Sequence, residues 1–225
     1  NMLFHELKNQ LTIIGGFSKR IAENDSLTPE KYQHCAGVIS ECSSSLDALT
    51  EEVLLLLRLE SGGYSLPLEE VSVEKTVRQT ISGLSERAQE KGITIHFEGA
   101  QSIANIPLNA TAIKFALGNL IENAVKYSPE QSIIKVRAGL ENEKGVVIEV
   151  EDRGPGIPEK EREAVFDQFY RGENVKKSTK GMGLGLYISK TLIVLMDGTI
   201  EVATGEETGT CFTVVLPLVQ THSTG

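Results

Sequence analysis

Hydrophobic side chains in the first sixty residues recur at intervals of three and four positions. One series extends from residue 2 to about residue 24 and comprises Phe4, Leu7, Leu11, Ile14 and Ile21, with Ser18 at the position between the last two. After the polar segment NDSLTPE, a second series comprises Cys35, Ile39, Cys42, Leu46, Leu49, Val53 and Leu56. Residues with these spacings share one face of a helix, because an α-helix completes a turn every 3.6 residues. The pattern predicts two helices joined by a short connection, each with one apolar side.

The second helix has recognisable signals at both ends. Thr28 suits the N-cap and Pro29 the first helical position, while Gly62 and Gly63 end the helix. A hairpin of about sixty residues buries too little surface to be stable alone. We therefore expect it to dimerise into a four-helix bundle, so that the protein is a homodimer. Packing of the apolar side against the rest of the same chain is the alternative.

Beyond a linker predicted at residues 63–69, helical and strand-like segments are interspersed. Helices are expected at about 73–91, 109–127 and 184–196, and strands at ITIHFEG, IIKVRAGL, GVVIEVED, GTIEVATG and GTCFTVVLPL. This order, with its closing hairpin, favours an α+β domain built on a mixed sheet. The predicted organisation is a helical hairpin at residues 1–62, an α+β domain at 70–218 and a polar tail at 219–225.

Composition narrows the functional classes. Of the 225 residues, 40% are hydrophobic and 24% are charged, which is ordinary for a folded protein. The net charge of −9 argues against a nucleic-acid-binding surface. Three cysteines lack metal-ligand spacing, and we expect Cys35 and Cys42 to be buried in a reducing cytosol. The longest apolar run, Val53–Leu57, is too short to span a bilayer. We expect a cytoplasmic chain that could be membrane-anchored only through a segment outside this sequence.

Three short segments carry residue types suited to nucleotide binding. In the first, NLIENAVKYS, Asn119 and Asn123 are four residues apart and share a helix face, and Lys126 and Tyr127 follow one turn later. Two amide oxygens, a cation and an aromatic ring suit a nucleotide with Mg²⁺, since Mg²⁺ prefers oxygen ligands. By itself, this pattern more often marks the polar side of an amphipathic helix.

The second segment is EVEDRGPGIP. Asp152 follows an apolar strand, and Gly154 and Gly156 allow the backbone to bend closely around a ligand. A carboxylate at the end of a strand can accept a hydrogen bond from an exocyclic amine such as that of adenine. An ordinary tight turn explains the segment equally well.

The third segment is KGMGLGLYISK, in which Gly181, Gly183 and Gly185 lead into a helix. Backbone N–H groups at a helix N-terminus can bind phosphate. The segment does not directly follow a strand, which argues against a dinucleotide-binding βαβ unit. Before it, the basic segment RGENVKKSTK, which includes Arg171, is either a surface loop or a mobile lid over phosphate.

The order and spacing of these segments are more specific than any one of them. They resemble the N, G1 and G2 boxes of the histidine-kinase ATP-binding domain, with FDQFYRG similar to the F box between them. FHELKNQLTIIGGF resembles the H box of the phospho-accepting helix. The resemblance, to the catalytic core of a sensor histidine kinase of a two-component system, extends from His5 to about Leu218. It implies an α/β sandwich of the Bergerat type, ATP and Mg²⁺ as cofactors, and the receiver domain of a response regulator as partner.

The resemblance also implies roles for individual residues. His5 would accept the phosphoryl group, and Glu6 would take or orient the proton on the other ring nitrogen. Asn9 would orient water when the partner is dephosphorylated, with Gln10 as a second candidate. The implied ATP-site residues are Asp152 for the adenine amine, Tyr127 near the ring, Asn119 and Asn123 for Mg²⁺, Lys126 and Arg171 for phosphate, and Gly154, Gly156, Gly181, Gly183 and Gly185 for the shape of the pocket and lid.

At two positions, Asn119 and Gln10, the residue type bears on the reaction that the resemblance implies. Related ATPases such as gyrase, MutL and Hsp90 carry a water-activating glutamate where Asn119 stands, so the amide favours phosphotransfer. An ATP-hydrolysing member of the same superfamily and a catalytically weak dimeric scaffold are the alternatives. The H box commonly has proline where Gln10 stands, and glutamine retains the backbone donor. We therefore expect a straighter first helix, with Gly15 and Gly16 as its points of flexing, and a bias toward phosphatase activity.

Overall fold

The computed structural model describes residues 2–24, 27–61, 65–99, 105–141, 145–172, 182–206 and 209–218. The chain divides into two compact units, one containing the first two helices and the other containing the strands and the remaining helices. No helix within these described ranges is both long enough and apolar enough to cross a bilayer.

The first unit is a hairpin of two helices that pack against each other, α1 (Met2–Ala22) and α2 (Pro29–Glu60). Thr28 is the N-cap of α2 as predicted, since its side-chain oxygen accepts a hydrogen bond from the backbone N–H of Lys31. The buried residues of α2 are Cys35, Cys42, Leu49 and Leu56. They recur every seven residues and form one line along the helix. The prediction that the two cysteines of α2 are buried is confirmed.

The buried side of α1 includes only part of the predicted apolar series. Phe4 and Leu11, which the spacing placed on the apolar side, are 66% and 58% exposed, whereas Gln10 is only 5% exposed. The residues in line with Gln10 are all half-buried: Leu3, Leu7, Ile14, Phe17 and Ile21. The helix continues without a break through Gln10, Gly15 and Gly16. Leu7, Ile14 and Ile21 thus lie on the half-buried side, as the spacing predicted, whereas Phe4 and Leu11 are exposed.

The second unit is built on a mixed five-stranded sheet, as predicted. Its helices are α3 (Val73–Glu90), α4 (Ala110–Tyr127) and α5 (Gly185–Val194). Its strands are β1 (Glu69–Val71), β2 (Thr94–Gly99), β3 (Ile106–Leu108), β4 (Ile133–Glu141), β5 (Gly145–Glu151), β6 (Thr199–Thr204) and β7 (Thr210–Leu216). The sheet has the order β2-β4-β5-β7-β6, in which β2 pairs with β4 in parallel and the other pairs are antiparallel. β1 and β3 form a separate antiparallel pair that was not predicted.

One face of the five-stranded sheet is buried under the helices and the other is polar. In β4 the buried residues Ile134, Val136 and Ala138 alternate with Lys135 and Arg137, which lie on the opposite face. In the helical layer α4 packs against both α3 and α5. The central position of α4 fixes its polar residues relative to the segment after β5 and the segment before α5.

Candidate functional site

The helix that carries both predicted asparagines is held at each end by side-chain hydrogen bonds. Asn109 is the N-cap, and its Oδ1 accepts a hydrogen bond from a backbone N–H of the first turn at 2.9 Å. At the other end, Lys91 Nζ donates to the backbone carbonyls of Val125 and Lys126, at 2.9 Å each. These carbonyls belong to the last turn, where a cation is favourable. The bonds fix the position of α4 in the unit.

The segment before α5 approaches α4 so closely that Gly185 has no room for a side chain. A Cβ atom at Gly185 would lie 2.6 Å from Cγ of Asn119 and would collide with its amide group. Asn119 is half-buried, and its Nδ2 lies 3.3 Å from Oγ of Ser189 on α5. Asn123 is half-buried one turn farther along α4. The structure therefore brings Asn119 of the first predicted segment and Gly185 of the third into contact.

Gly183 connects the glycine-rich segment before α5 to the segment FDQFYRG. Its φ of 72° lies in the left-handed region, and a Cβ atom would collide with the backbone oxygen of Tyr170. The backbone N–H of Phe169 donates to the carbonyl of Gly183 at 3.0 Å. Phe166 is buried and packs edge to face on Phe212 of β7, with ring centroids 6.2 Å apart. FDQFYRG is thus anchored both to the sheet and to the glycine-rich segment.

Asp152, directly after β5, is 5% exposed. Its Oδ1 accepts hydrogen bonds from the backbone N–H groups of Gly154 at 2.7 Å and Thr210 at 3.2 Å. Burial raises the pKa of the Asp152 carboxyl above its ordinary value of 3.8, although these backbone hydrogen bonds act in the opposite direction. A carboxylate fixed in this way is a rigid acceptor for a donor group that enters the site.

Gly154 brings the segment after β5 against the end of α4. A Cβ atom at Gly154 would lie 3.0 Å from the backbone oxygen of Tyr127 and 2.9 Å from Oδ1 of Asp152, which leaves no space for a side chain. Asp152 therefore lies near the Tyr127 end of α4. The contact between Asn119 and Gly185 is about 12 Å away along the helix axis. In this way α4 joins all three predicted segments into one site.

Gly209 and Thr210 contribute to the site but were not predicted. Gly209 has a φ of 87°, and a Cβ atom there would lie 2.8 Å from the carbonyl carbon of Asp152. Gly156, with a φ of 73°, approaches Gly209 in turn, because its Cβ would lie 3.2 Å from the Gly209 carbonyl oxygen. The available signal was a Gly-Thr pair at the start of the last strand, which lies beside the strand that ends before Asp152.

The structure says less about the predicted phosphate ligands. Lys126 Nζ lies 5.2 Å from the centroid of the Tyr127 ring, in a cation–π contact. Arg171 is half-buried at the end of FDQFYRG. Gly181 lies outside the described residues. The roles of these residues at phosphate stay predictions.

A network of charged side chains lies on the polar face of the sheet beside the site. Arg137 Nη2 donates to Glu151 Oε2 and to Glu206 Oε1, at 3.0 Å each, and Glu151 Oε1 accepts a bond of 2.9 Å from the backbone N–H of Glu206. The hydrogen bond from Lys135 and the charge of Arg137 lower the pKa of Glu206. The network ties the turn between β6 and β7 to the strand that leads into Asp152.

His5 lies on the exposed side of α1. Its Nδ1 is 3.3 Å from Nδ2 of Asn9, one turn later. Glu6 Oε1 accepts a hydrogen bond of 3.0 Å from Nε2 of Gln10, and the buried amide oxygen of Gln10 has no partner among the described residues. The bond between Glu6 and Gln10 was not foreseen. Gln10, which stands in place of a proline, therefore binds Glu6, the predicted proton partner of His5.

Comparisons with known proteins point to one family. Residues 109–220 match the family described as histidine kinase-, DNA gyrase B-, and HSP90-like ATPase. Sensor histidine kinase YcbM of Bacillus subtilis is 30% identical over 217 residues, which cover 94% of this chain and 68% of YcbM. Sensor protein KdpD of Escherichia coli is 30% identical over 96% of this chain, a region that amounts to 24% of KdpD. The chain thus spans only part of these relatives.

Solved structures show the same likeness. Full-length ShkA in complex with AMPPNP is 26% identical and superimposes with a TM-score of 0.72, over 98% of this chain and 46% of ShkA. Histidine kinase AdeS of Acinetobacter baumannii also has a TM-score of 0.72, over 96% of this chain and 98% of AdeS. At 20% identity, AdeS shows the fold alone. The likenesses agree with the resemblance found in the sequence.

Proposed function

Because the chain belongs to the sensor histidine kinases, we propose that it transfers the γ-phosphoryl group of ATP to its own His5. One observation carries this proposal. The central helix α4 meets Asp152 and Gly154 near one end and Gly185 at Asn119, so that three separate segments form one site. Since relatives such as KdpD extend well beyond the matched region, the proposal concerns the reaction of a catalytic core.

In the proposed complex, Asp152 accepts a hydrogen bond from the exocyclic amine of adenine, and Tyr127 lies near the base. The triphosphate extends along α4 toward Asn119, where the glycine-rich segment leads into α5 and offers backbone N–H groups. Lys126 and Arg171 supply positive charge to the phosphates. The buried, rigid carboxylate at one end and the crowded glycine at the other support this orientation of the nucleotide.

Asn119 and Asn123 are the proposed ligands of Mg²⁺. The two residues are one turn apart on the same half-buried side of α4, and their amide oxygens are hard, neutral ligands of the kind that Mg²⁺ accepts. When bound with ATP, the ion neutralises charge on the phosphoryl group that is transferred.

In the transfer step, a ring nitrogen of His5 attacks the γ-phosphorus of ATP. The new N–P bond forms as the bond from the γ-phosphorus to the β,γ-bridging oxygen breaks, and ADP leaves with that oxygen. Glu6 takes the proton from the other ring nitrogen. The attacking nitrogen needs a lone pair. The Asn9 amide beside Nδ1 can favour either ring tautomer, according to whether its oxygen or its nitrogen faces the ring.

ATP hydrolysis is the second candidate function, since the matching family includes ATPases. Hydrolysis requires a base that activates water, and an amide at Asn119 cannot act as that base. A site without such a base keeps the γ-phosphoryl group available for transfer. The identity of Asn119 therefore favours the kinase.

The kinase would have two kinds of protein partner. A second copy would pair its hairpin with this one, because Phe4, Leu11 and Leu57 are each more than half exposed in the single chain. The phosphoryl group on His5 would then pass to an aspartate in the receiver domain of a response regulator. The position of Asn9 beside His5 on the exposed side of α1 supports a role in orienting water when that partner is dephosphorylated.

Incubation of the full chain with γ-labelled ATP and Mg²⁺ tests the proposal. We expect acid-labile, alkali-stable label on the wild-type chain and none on His5→Gln. His34→Gln changes another exposed histidine of the same hairpin and should retain the label. Label that persists in His5→Gln would refute the assignment of His5. Consumption of ATP without label on the wild-type chain would favour the ATPase.

A further inference from the structure

Ser189 lies on α5, one turn after Gly185, and no sequence pattern singles it out. It is 0% exposed, and its hydroxyl donates a hydrogen bond of 2.8 Å to the backbone carbonyl of Gly185. A serine hydroxyl has a single proton. Because that proton is used on Gly185, only the lone pairs of Ser189 Oγ remain for another neighbour.

The amide of Asn119 is that neighbour, with Nδ2 at 3.3 Å from Ser189 Oγ. Since Oγ can only accept in this direction, the amide must turn its NH₂ group toward Ser189 and its oxygen, Oδ1, away from it. The two ends of an isolated asparagine amide are nearly interchangeable. Here the chain of hydrogen bonds from Asn119 to Ser189 to Gly185 selects one orientation of the amide, with Nδ2 toward Ser189.

Gly185 serves the same arrangement in two ways. Its lack of a side chain lets the Asn119 amide lie against the start of α5, because a Cβ atom would come within 2.6 Å of Cγ of Asn119. Its carbonyl group is also the acceptor that occupies the proton of Ser189. The position and the orientation of the amide therefore depend on residues of α5.

We propose that Ser189 is a positioning residue that directs Oδ1 of Asn119 toward the divalent cation of the bound nucleotide. The inference rests on the proposed function, in which Asn119 is a ligand of Mg²⁺, and deepens it. Without the hydroxyl of Ser189, the amide is free to turn by half a rotation and present its N–H protons, which repel a cation. Ser189 touches neither the nucleotide nor the ion and acts through Asn119 alone.

The test is the binding of a non-hydrolysable ATP analogue to the full chain, measured by calorimetry in EDTA and at rising Mg²⁺ concentrations. Mg²⁺ should raise the affinity of the chain for the analogue. In Ser189→Ala, we expect the Mg²⁺ concentration that gives half of this rise in affinity to increase about tenfold, as for other residues that orient a metal ligand. The affinity in EDTA should not change. Thr191→Val is the matched control, because Thr191 Oγ1 donates a 2.9 Å bond to the carbonyl of Tyr187 on the same helix. It should keep the wild-type dependence on Mg²⁺.

Two further variants isolate the amide. In Asn119→Asp both ends of the side chain are oxygen, so its orientation no longer matters, and adding Ser189→Ala should cause little further shift. Ser189→Cys keeps a side chain of similar shape but makes weaker hydrogen bonds. It should give an intermediate shift, and it replaces Ser189→Ala if that variant does not fold.

The possible results separate this inference from the proposed function. If Ser189→Ala loses affinity equally with and without Mg²⁺, or keeps the wild-type dependence, the positioning role is overturned and the nucleotide site stands. If the wild-type chain binds the analogue equally well in EDTA and in Mg²⁺, the proposed metal site fails, and the role of Ser189 fails with it.

Discussion

Among single residues, Asp152 has surroundings that alter its acid–base behaviour. Burial raises its pKa above 3.8, and the hydrogen bonds from Gly154 and Thr210 oppose the rise only in part. A raised pKa in the folded chain means that ionisation of Asp152 disfavours folding, so this cost is relieved as the pH falls through the raised value. Adenine binding needs the ionised form as its acceptor. Acid should therefore weaken ATP binding at a higher pH than an ordinary aspartate would.

We accordingly predict opposite pH trends for two nucleotides. ATP offers an amine to Asp152, whereas inosine triphosphate offers a carbonyl, to which the protonated carboxyl can donate. The ratio of ATP affinity to inosine triphosphate affinity, measured by calorimetry, should fall as the pH is lowered, beginning above pH 3.8. Titration of the phosphates affects both nucleotides alike and cancels in the ratio. Over the pH range in which the adenine ring stays neutral, the ratio should not depend on pH in Asp152→Asn, and a constant ratio in the wild type over that range would contradict the prediction.

At the residue scale, sequence reasoning selected the chemistry of the site but not its pairings. Residue type and spacing singled out Asp152, Asn119 and Gly185, which the fold brings to α4. The orientation of the Asn119 amide depends on Ser189, 70 positions away, and one donor to Asp152 is Thr210, 58 positions away. Such pairs form only when the sheet and the helical layer assemble, so a local sequence pattern cannot predict them.

At the scale of elements, long periodic segments could be predicted and short ones could not. The strands β1 and β3 have three residues each, too few for an alternating pattern to be distinguished from a loop. The buried side of α1 was predicted only in part, for a different reason. The spacing placed Leu7 and Ile14 correctly, but it did not tell whether Phe4 and Leu11 or Leu3 and Phe17 complete the buried side. The buried position of Gln10, with its bond to Glu6, could therefore not be deduced from spacing.

The charged network of Arg137, Glu151 and Glu206 joins three elements: β4, β5 and the turn after β6. Arg137 is its centre, and the Glu151 side chain that it binds is only 8% exposed. In Arg137→Met, Glu151 loses a charged partner while its carboxylate stays buried. We predict a loss of about 2 kcal/mol in the free energy of unfolding, the size expected for hydrogen bonds to a charged group. The loss is measured by denaturant unfolding.

Glu74→Gln provides the control for that measurement. It removes an ion pair with Arg78 on α3 in which both side chains are more than 40% exposed. Exposed pairs of this kind contribute little, so the change should cost less than about 0.5 kcal/mol. If Arg137→Met costs no more than Glu74→Gln, the network does not hold the β6–β7 turn against β5.

At the scale of the whole molecule, the two units differ in how much they bury by themselves. In α4, eight of 18 residues are buried, whereas in α2 only four of 32 are. The uncovered residues of the hairpin include large apolar side chains, among them Phe4, Leu11 and Leu57. A helical pair with so thin a core gains stability by covering these residues, and a second copy offers a surface of the same length and composition.

We therefore predict that the chain is a dimer and that Leu57→Glu converts it to a monomer, as measured by sedimentation equilibrium. A charge at this position would be buried without a partner in the dimer, but it is solvated in the monomer, where Leu57 is 57% exposed. Leu140→Glu is the matched control, because Leu140 is 48% exposed but lies on β4 of the other unit. It should remain dimeric. Both variants should bind the ATP analogue as the wild type does, since Asp152, Asn119 and Asn123 lie in the second unit. A Leu57→Glu chain that stays dimeric would place the dimer contact elsewhere on the molecule.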